Sequence, residues 1–144
     1  MASELDHINL ANRNHDLLLQ LLSSGTHPDW AATVAFYKAV HIAEAIFVTG
    51  FGKHSTSHSD REATLKMTRY AHIFKDYSHL LTASRIARYL ESSGKGQYKS
   101  FADYMDLDAV KRLMANRLYR VEQNSLPFLS DSGRALLRKI GTGI

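Results

Sequence analysis

The chain has 144 residues, with 18 Lys and Arg against 14 Asp and Glu, eight His and no Cys; 44% of it is hydrophobic and 22% charged. That length suits one domain able to bury its own core, and the composition is neither that of a disordered tail nor that of a fibre. The lack of Cys excludes a disulfide framework, thiolate zinc sites and a cysteine nucleophile, and two Pro with eight Gly are too few for a turn-dense sandwich.

The elements follow from hydrophobic spacing. Leu5, Ile8, Leu18, Leu19 and Leu22 recur at helical intervals and predict a first helix over Leu5 to Leu22, stopped by Ser23-Ser24-Gly25. His27-Pro28-Asp29 opens a second helix running to about Thr49. Trp30, Val34, Tyr37, His41, Ala45 and Val48 share one stripe of it, and other apolar residues cover most of the remainder. A helix apolar nearly all round belongs at the centre of a bundle. Its polar residues Lys38, His41 and Glu44 form one narrow strip.

Residues 50–58 read as a loop, and Ser59 with Glu62 three residues on reads as a capping box opening a third helix to about Tyr70. A fourth helix spans roughly Ile73 to Leu90, with Arg85 and Arg88 on a face shared with Tyr77 and Leu81. Glu91 to Ser100 is a flexible basic connection. Asp106 caps a fifth helix with a core stripe of Leu107, Val110, Met114, Leu118 and Val121, ended near Ser125 by Pro127. No stretch alternates strictly enough for a strand. The expectation is an all-α, antiparallel up-and-down bundle of about five helices in one domain, residues 1–130. Residues 131–144 are expected as a short basic C-terminal tail, with a small amphipathic helix over 131–140 and fraying at Gly141-Thr142-Gly143.

The beginning of the chain lacks the cationic-then-apolar pattern of a secretory signal, and the apolar run Ala39 to Val48 is short and interrupted by His41 and Glu44. A cytoplasmic location without membrane contact is expected.

The formal charge of +4 is uneven: residues 1–84 carry a net −1 and residues 85–144 a net +5. Arg85, Arg88, Lys95, Lys99, Lys111, Arg112, Arg117 and Arg120 supply most of it, with Arg134, Arg138 and Lys139 beyond. Clustered cations attract anions and hold phosphates, although they also serve simply as a solvated face.

Other chemistries find less support. His54 and His58 are four apart, but a helix starting after His58 removes the geometric meaning of that spacing, and no His-Glu-x-x-His occurs. No metal or other cofactor is expected. A Gly-x-Ser-x-Gly elbow is absent, and neither Gly50-Phe51-Gly52-Lys53 nor Gly94-Lys95-Gly96 has Walker spacing. Tyr98, Phe101 and Tyr104 interleave with Lys95 and Lys99, which reads as a loop pinned by its aromatics before it reads as a stacking surface for bases. His41 is either a core histidine bonded to a neighbour or one wall of a polar pocket with Lys38, Glu44 and Arg85.

The stretch from Asp29-Trp30-Ala31 through Phe36-Tyr37-Lys38-Ala39-Val40-His41-Ile42-Ala43-Glu44-Ala45 resembles the second helix of HEPN domains. The Gly-bearing loop with His54-Ser55-Thr56-Ser57-His58 and the fourth-helix run Arg85-Ile86-Ala87-Arg88-Tyr89 are similar to the family's pattern as well, over about residues 29 to 121. Arg88 stands where that pattern has Asp. The resemblance implies a helical bundle with a nucleotide- or RNA-linked role, often dimeric, and in some members paired with a small nucleotidyltransferase. Many members are ribonucleases marked by an Arg followed four to six residues later by a His. No Arg here is followed by a His at that spacing, and no His lies beyond His79. The expectation is therefore a non-catalytic, homodimeric module that binds a nucleotide or nucleic-acid phosphate through His41, His54, His58, Arg61, Arg85 and Arg88. Its alternatives are a ribonuclease using His54 or His58 in a non-standard site, and a pure protein-interaction module.

Overall fold

The computed structural model describes residues 1–92 and 96–141, and the side chains of residues 91–97 are left aside. The fold is all-α. Helix α1 (Glu4–Ser24) starts with a reciprocal cap: Ser3 Oγ accepts from the Asp6 amide at 3.1 Å, and Asp6 Oδ2 accepts from the Ser3 amide at 2.8 Å. It ends at Gly25, whose φ of 70° lies in the left-handed region that glycine adopts without strain. Helix α2 (Pro28–Phe51) carries Pro at its first position and closes on Gly52 at φ 73°. Next come α3 (His58–Leu65), a 3₁₀ turn at Thr68–Tyr70 and α4 (Ala71–Tyr89). A two-residue antiparallel ladder pairs Glu91 with Gln97 and Ser92 with Gly96. The fifth predicted helix is a rod in three pieces: α5 (Leu107–Leu113), a π turn over Met114–Leu118 and α6 (Tyr119–Ser125).

Cross-helix contacts set the topology. Glu4 meets Thr49, His7 meets His41 and His15 meets Lys38, so α1 and α2 run antiparallel. Phe47 meets Tyr70 while Tyr37 meets Arg88, so α4 runs antiparallel to α2. The α5–α6 rod returns along α4, with Asp76 against Arg117 and Tyr70 against Phe128. Helix α2 lies at the centre, with Phe36, Ile42, Ile46 and Phe47 fully buried among its neighbours. By length and hydropathy α2 is long enough to cross a membrane, longer than the ten-residue run read from the sequence, and 83% of its most apolar stretch is buried within the fold.

Three sequence expectations change. Trp30, placed on the core stripe, is 58% exposed, while Ala31 and Ala32 of the same turn are fully buried, so it is the opposite side of this turn that packs inward. Leu5 and Leu19 also face outward, and α1 turns His7, Ala11, Asn12 and His15 inward instead. The segment set apart as a tail packs into the bundle: α7 (Asp131–Leu136) leads into buried Leu137 and Ile140. The amphipathic pattern of 131–140 hints at a helix but not at its docking, which is completed by polar bonds to α1. Asn12 Nδ2 donates to the Leu136 carbonyl at 2.9 Å, and Asn12 Oδ1 accepts from the Arg138 amide at 2.8 Å. The proposed fraying beyond Gly141 lies outside the described residues.

Lys38 leaves the polar strip on which the sequence placed it. Its fully buried ammonium donates to His15 Nδ1 at 2.9 Å, to the Arg138 carbonyl at 2.8 Å and to the Glu122 carboxylate, so each of its three N–H groups has an acceptor. The other Glu122 oxygen accepts from the Ile140 amide at 2.8 Å. Burial pulls the Lys38 ammonium down and pushes the Glu122 carboxyl up, while the attraction between the two opposes both shifts. The same network holds His15 neutral: burial first, then the Lys38 charge, lowers it from 6.5 to about 4. A histidine with a depressed folded pKa takes up its proton in the unfolded chain first, so its contribution is intact above pH 6.5 and is lost as pH falls toward 4. The melting temperature is expected to decline across that window, and His15→Gln, which keeps an acceptor for Lys38, is expected to flatten the decline in a calorimetric pH series.

Candidate functional site

The third helix begins two residues earlier than its sequence signature. Ser57, and not Ser59, is the cap: its Oγ accepts from the Asp60 amide at 3.0 Å, while Asp60 Oδ2 accepts from the Thr56 amide at 2.9 Å. His58 therefore occupies the first helical position, three residues before Arg61 and on the same face. Arg61 Nη1 donates to His58 Nδ1 at 2.8 Å. Since a guanidinium only donates, Nδ1 is the acceptor, and neutral His58 carries its proton on Nε2 as a donor.

Glu44 organises the base of this corner. It is buried at 4% exposure and accepts from Arg61 Nε at 3.1 Å, from the Ser55 amide at 2.8 Å and from Ser55 Oγ. One carboxylate thus fixes both the loop after α2 and the arginine of α3. Tyr77 of α4, also buried, donates no charge but faces Arg61, and burial pushes its phenol up to about 12.

Three histidines from separate segments adjoin this corner. His7 and His41 approach Nδ1 to Nδ1 at 3.2 Å, and His54 meets His7 edge-on at a centroid distance of 5.8 Å. One Nδ1 of the first pair must donate and the other accept, so both rings cannot be charged in this arrangement. Burial lowers the pKa of His7 and of His41; neighbouring cationic groups, Arg61 among them, lower both further and Glu44 offsets part of the change. His7 Nε2 is buried without a hydrogen-bond partner. His54 Nδ1 donates to the Ser55 carbonyl at 3.1 Å, which leaves its Nε2 with a lone pair.

The two arginines of α4 complete the arrangement. Burial, then Arg61, Arg88 and Arg85 in that order, lower the His58 pKa, and Glu62 one turn along partly offsets them. Arg88 is held by Ser84 and by Tyr37, whose hydroxyl accepts from Nη1 at 3.2 Å. Arg85 is half-buried and its guanidinium makes no hydrogen bond among the described residues. No ion pair among the described side chains includes Arg85 or Arg88.

All six residues named from the sequence (His41, His54, His58, Arg61, Arg85 and Arg88) fall in this neighbourhood, linked through His7, Glu44 and Tyr37. The wider basic half does not join them. Arg117 and Arg120 turn to buried Asp76 at 2.9 and 3.8 Å, with the π turn setting their positions, while Arg134 pairs with Asp131 and Arg138 with Asp16. Four of the basic half's arginines, Arg117, Arg120, Arg134 and Arg138, are thus paired with carboxylates of the chain. Tyr98, Phe101 and Tyr104 stack edgewise on one another with Phe101 buried, so this loop is pinned by its aromatics; Gly94 and Lys95 lie outside the described residues.

His7 and Ser55 were missed. The periodic signal for His7 was present, since His7, Ala11 and His15 recur every fourth residue beside Ile8, Leu18 and Leu22. Ser55 carries no comparable signal, because its role depends on Glu44 lying beneath the loop. Among the described residues no three His, Asp or Glu side chains group so as to hold a metal ion. The chain matches no family model, no curated protein and no solved structure.

Proposed function

We propose that this HEPN-like bundle is a binding module for the phosphate of a nucleotide or nucleic acid, with Arg85 and Arg88 as the principal ligands. The observation that carries the reading is electrostatic: Arg85 and Arg88, both half-buried on α4, have no carboxylate partner among the described side chains, and their charge reaches His58. Neither guanidinium is neutralised by a carboxylate, so an anion meeting the pair gains charge-assisted bonds without displacing an ion pair of the fold. His58 adds an Nε2–H donor, and Arg61, already paired with Glu44, positions His58 and contributes less charge.

The test is a titration of the full chain with sulfate and with a short phosphodiester at low ionic strength. Saturable binding that weakens as salt rises supports the reading. The absence of affinity for either probe refutes it.

Ribonuclease chemistry is the second reading, and one observation favours it: His54 keeps a free Nε2 lone pair and so retains the capacity of a general base. His58 lacks that capacity while Arg61 occupies its Nδ1. Under the binding reading, single-stranded RNA incubated with the protein is expected to remain intact on a denaturing gel. Cleavage abolished by His54→Gln would establish the enzyme reading instead.

A further inference from the structure

Phosphate binding alone gives no role to Trp30, the chain's single tryptophan. Its indole is 58% exposed on the first turn of α2, beside a cleft of about 180 Å³ lined by Asp29, Thr33, Ala87 and Arg88. Tyr37 and His41 lie seven and eleven residues further along, on the same helical face as Trp30. They line a second cleft, of about 380 Å³, whose far wall is Leu10, Arg13, Asn14 and Leu17 of α1. Arg88 connects the two clefts. It lines the first, donates to the Tyr37 hydroxyl, and lies over the Tyr37 and Tyr89 rings at 5.7 and 5.2 Å from their centroids.

Seven helical residues separate Trp30 from Tyr37 by about 10 Å along the axis, too far for one base to cover both rings. A single phosphate at Arg88, in contrast, has an aromatic cleft on either side of it. Resting on the phosphate reading above, we infer that this face binds single-stranded nucleic acid of two or more nucleotides. One phosphodiester sits over Arg85 and Arg88, one base stacks on Trp30, and the next lies against Tyr37 in the cleft between α1 and α2. Positive charge interleaved with exposed aromatic rings is the surface that unpaired bases recognise. A duplex hides the faces of its bases and gains nothing from Trp30. Arg13 extends the cationic lining, and Asp29 is the acidic residue on the opposing side of the first cleft.

The lone tryptophan makes the site self-reporting. In fluorescence titrations of the full chain at low salt, hexauridylate is expected to quench Trp30 and to bind at least tenfold more tightly than uridine monophosphate. By calorimetry, which does not need the indole, Trp30→Ala is expected to weaken hexauridylate binding roughly five- to 150-fold, the range for loss of one base stack, and Trp30→Phe is expected to retain most of the affinity. Sulfate affinity, measured calorimetrically, is expected to be unchanged in both variants. Equal affinity for hexamer and monophosphate, or a hexamer insensitive to Trp30→Ala, overturns the two-base site while leaving phosphate binding intact. Tighter binding of a duplex also overturns it, as does a Trp30→Ala variant that changes only the oligomeric state in sedimentation, which would mark a protein-contact face. Loss of all binding, sulfate included, instead overturns the underlying phosphate reading.

Discussion

Lys38→Ala is expected to destabilise the protein by about 3–5 kcal/mol, the cost of leaving a buried charge without its partner. The substitution strips Glu122 of its cation and removes the donor to His15 Nδ1 and to the Arg138 carbonyl, all at a site closed to water. For a chain of this size the loss corresponds to a fall of roughly 10–15 °C in Tm. Thermal and urea unfolding provide the measurement. The companion variant Lys38→Met with Glu122→Gln removes both charges but keeps an acceptor for the Ile140 amide, and is expected to recover at least half of the loss. Equal destabilisation of the single and the double variants would mean that packing, and not the unpaired carboxylate, dominates. Because Arg138 and Ile140 join the network, the single variant should also loosen the segment after α7, seen as faster amide exchange at Leu137 and Ile140.

Arg85→Ala is expected to lower affinity for a phosphodiester roughly tenfold or more, in line with loss of a hydrogen bond to a charged group, and to reduce the dependence of affinity on salt. Stability should change by less than about 0.5 kcal/mol, because the Arg85 guanidinium is bonded to nothing among the described residues. That separation makes it the cleanest probe of the site. Arg61→Ala is less informative, since it strands the buried Glu44 carboxylate and mixes binding with stability. Arg88→Ala likewise removes the Tyr37 and Ser84 bonds. Unchanged affinity in Arg85→Ala would remove the main support for phosphate binding.

The helices were legible because their signals are local. The apolar circumference of α2 identified it as the central element, and Gly25, Pro28 and Pro127 marked boundaries that the backbone respects within a few residues. The α3 start was misread by two residues because both Ser57 and Ser59 stand three positions before an acidic residue. Only the loop's bond from the Thr56 amide to Asp60 selects Ser57. That small shift matters, since it brings His58 onto the face of Arg61.

The candidate site was legible as a set of residue types and illegible as an arrangement. His41 stood out as a polar residue on an apolar helix, whereas His54, His58, Arg61, Arg85 and Arg88 were named with it as one set only through the resemblance to HEPN domains. Which of them keeps a free charge depends on carboxylates distant in sequence: Glu44 takes Arg61, Asp76 takes Arg117 and Arg120, and Asp16 takes Arg138. Lys38 and His41 occupy neighbouring positions on α2, yet one is sealed against Glu122 and the other opens onto a cleft with α1.

The sequence by itself therefore determined an all-α bundle around α2 and the inventory of cations, because helical periodicity and composition are local properties of the chain. The tertiary structure decided which cations are neutralised, how α7 and the segment after it are locked in, and that Arg85 and Arg88 are left without a carboxylate partner among the described side chains. Those outcomes depend on pairing across the fold, where a carboxylate a few ångströms away cancels a charge whatever its separation along the chain.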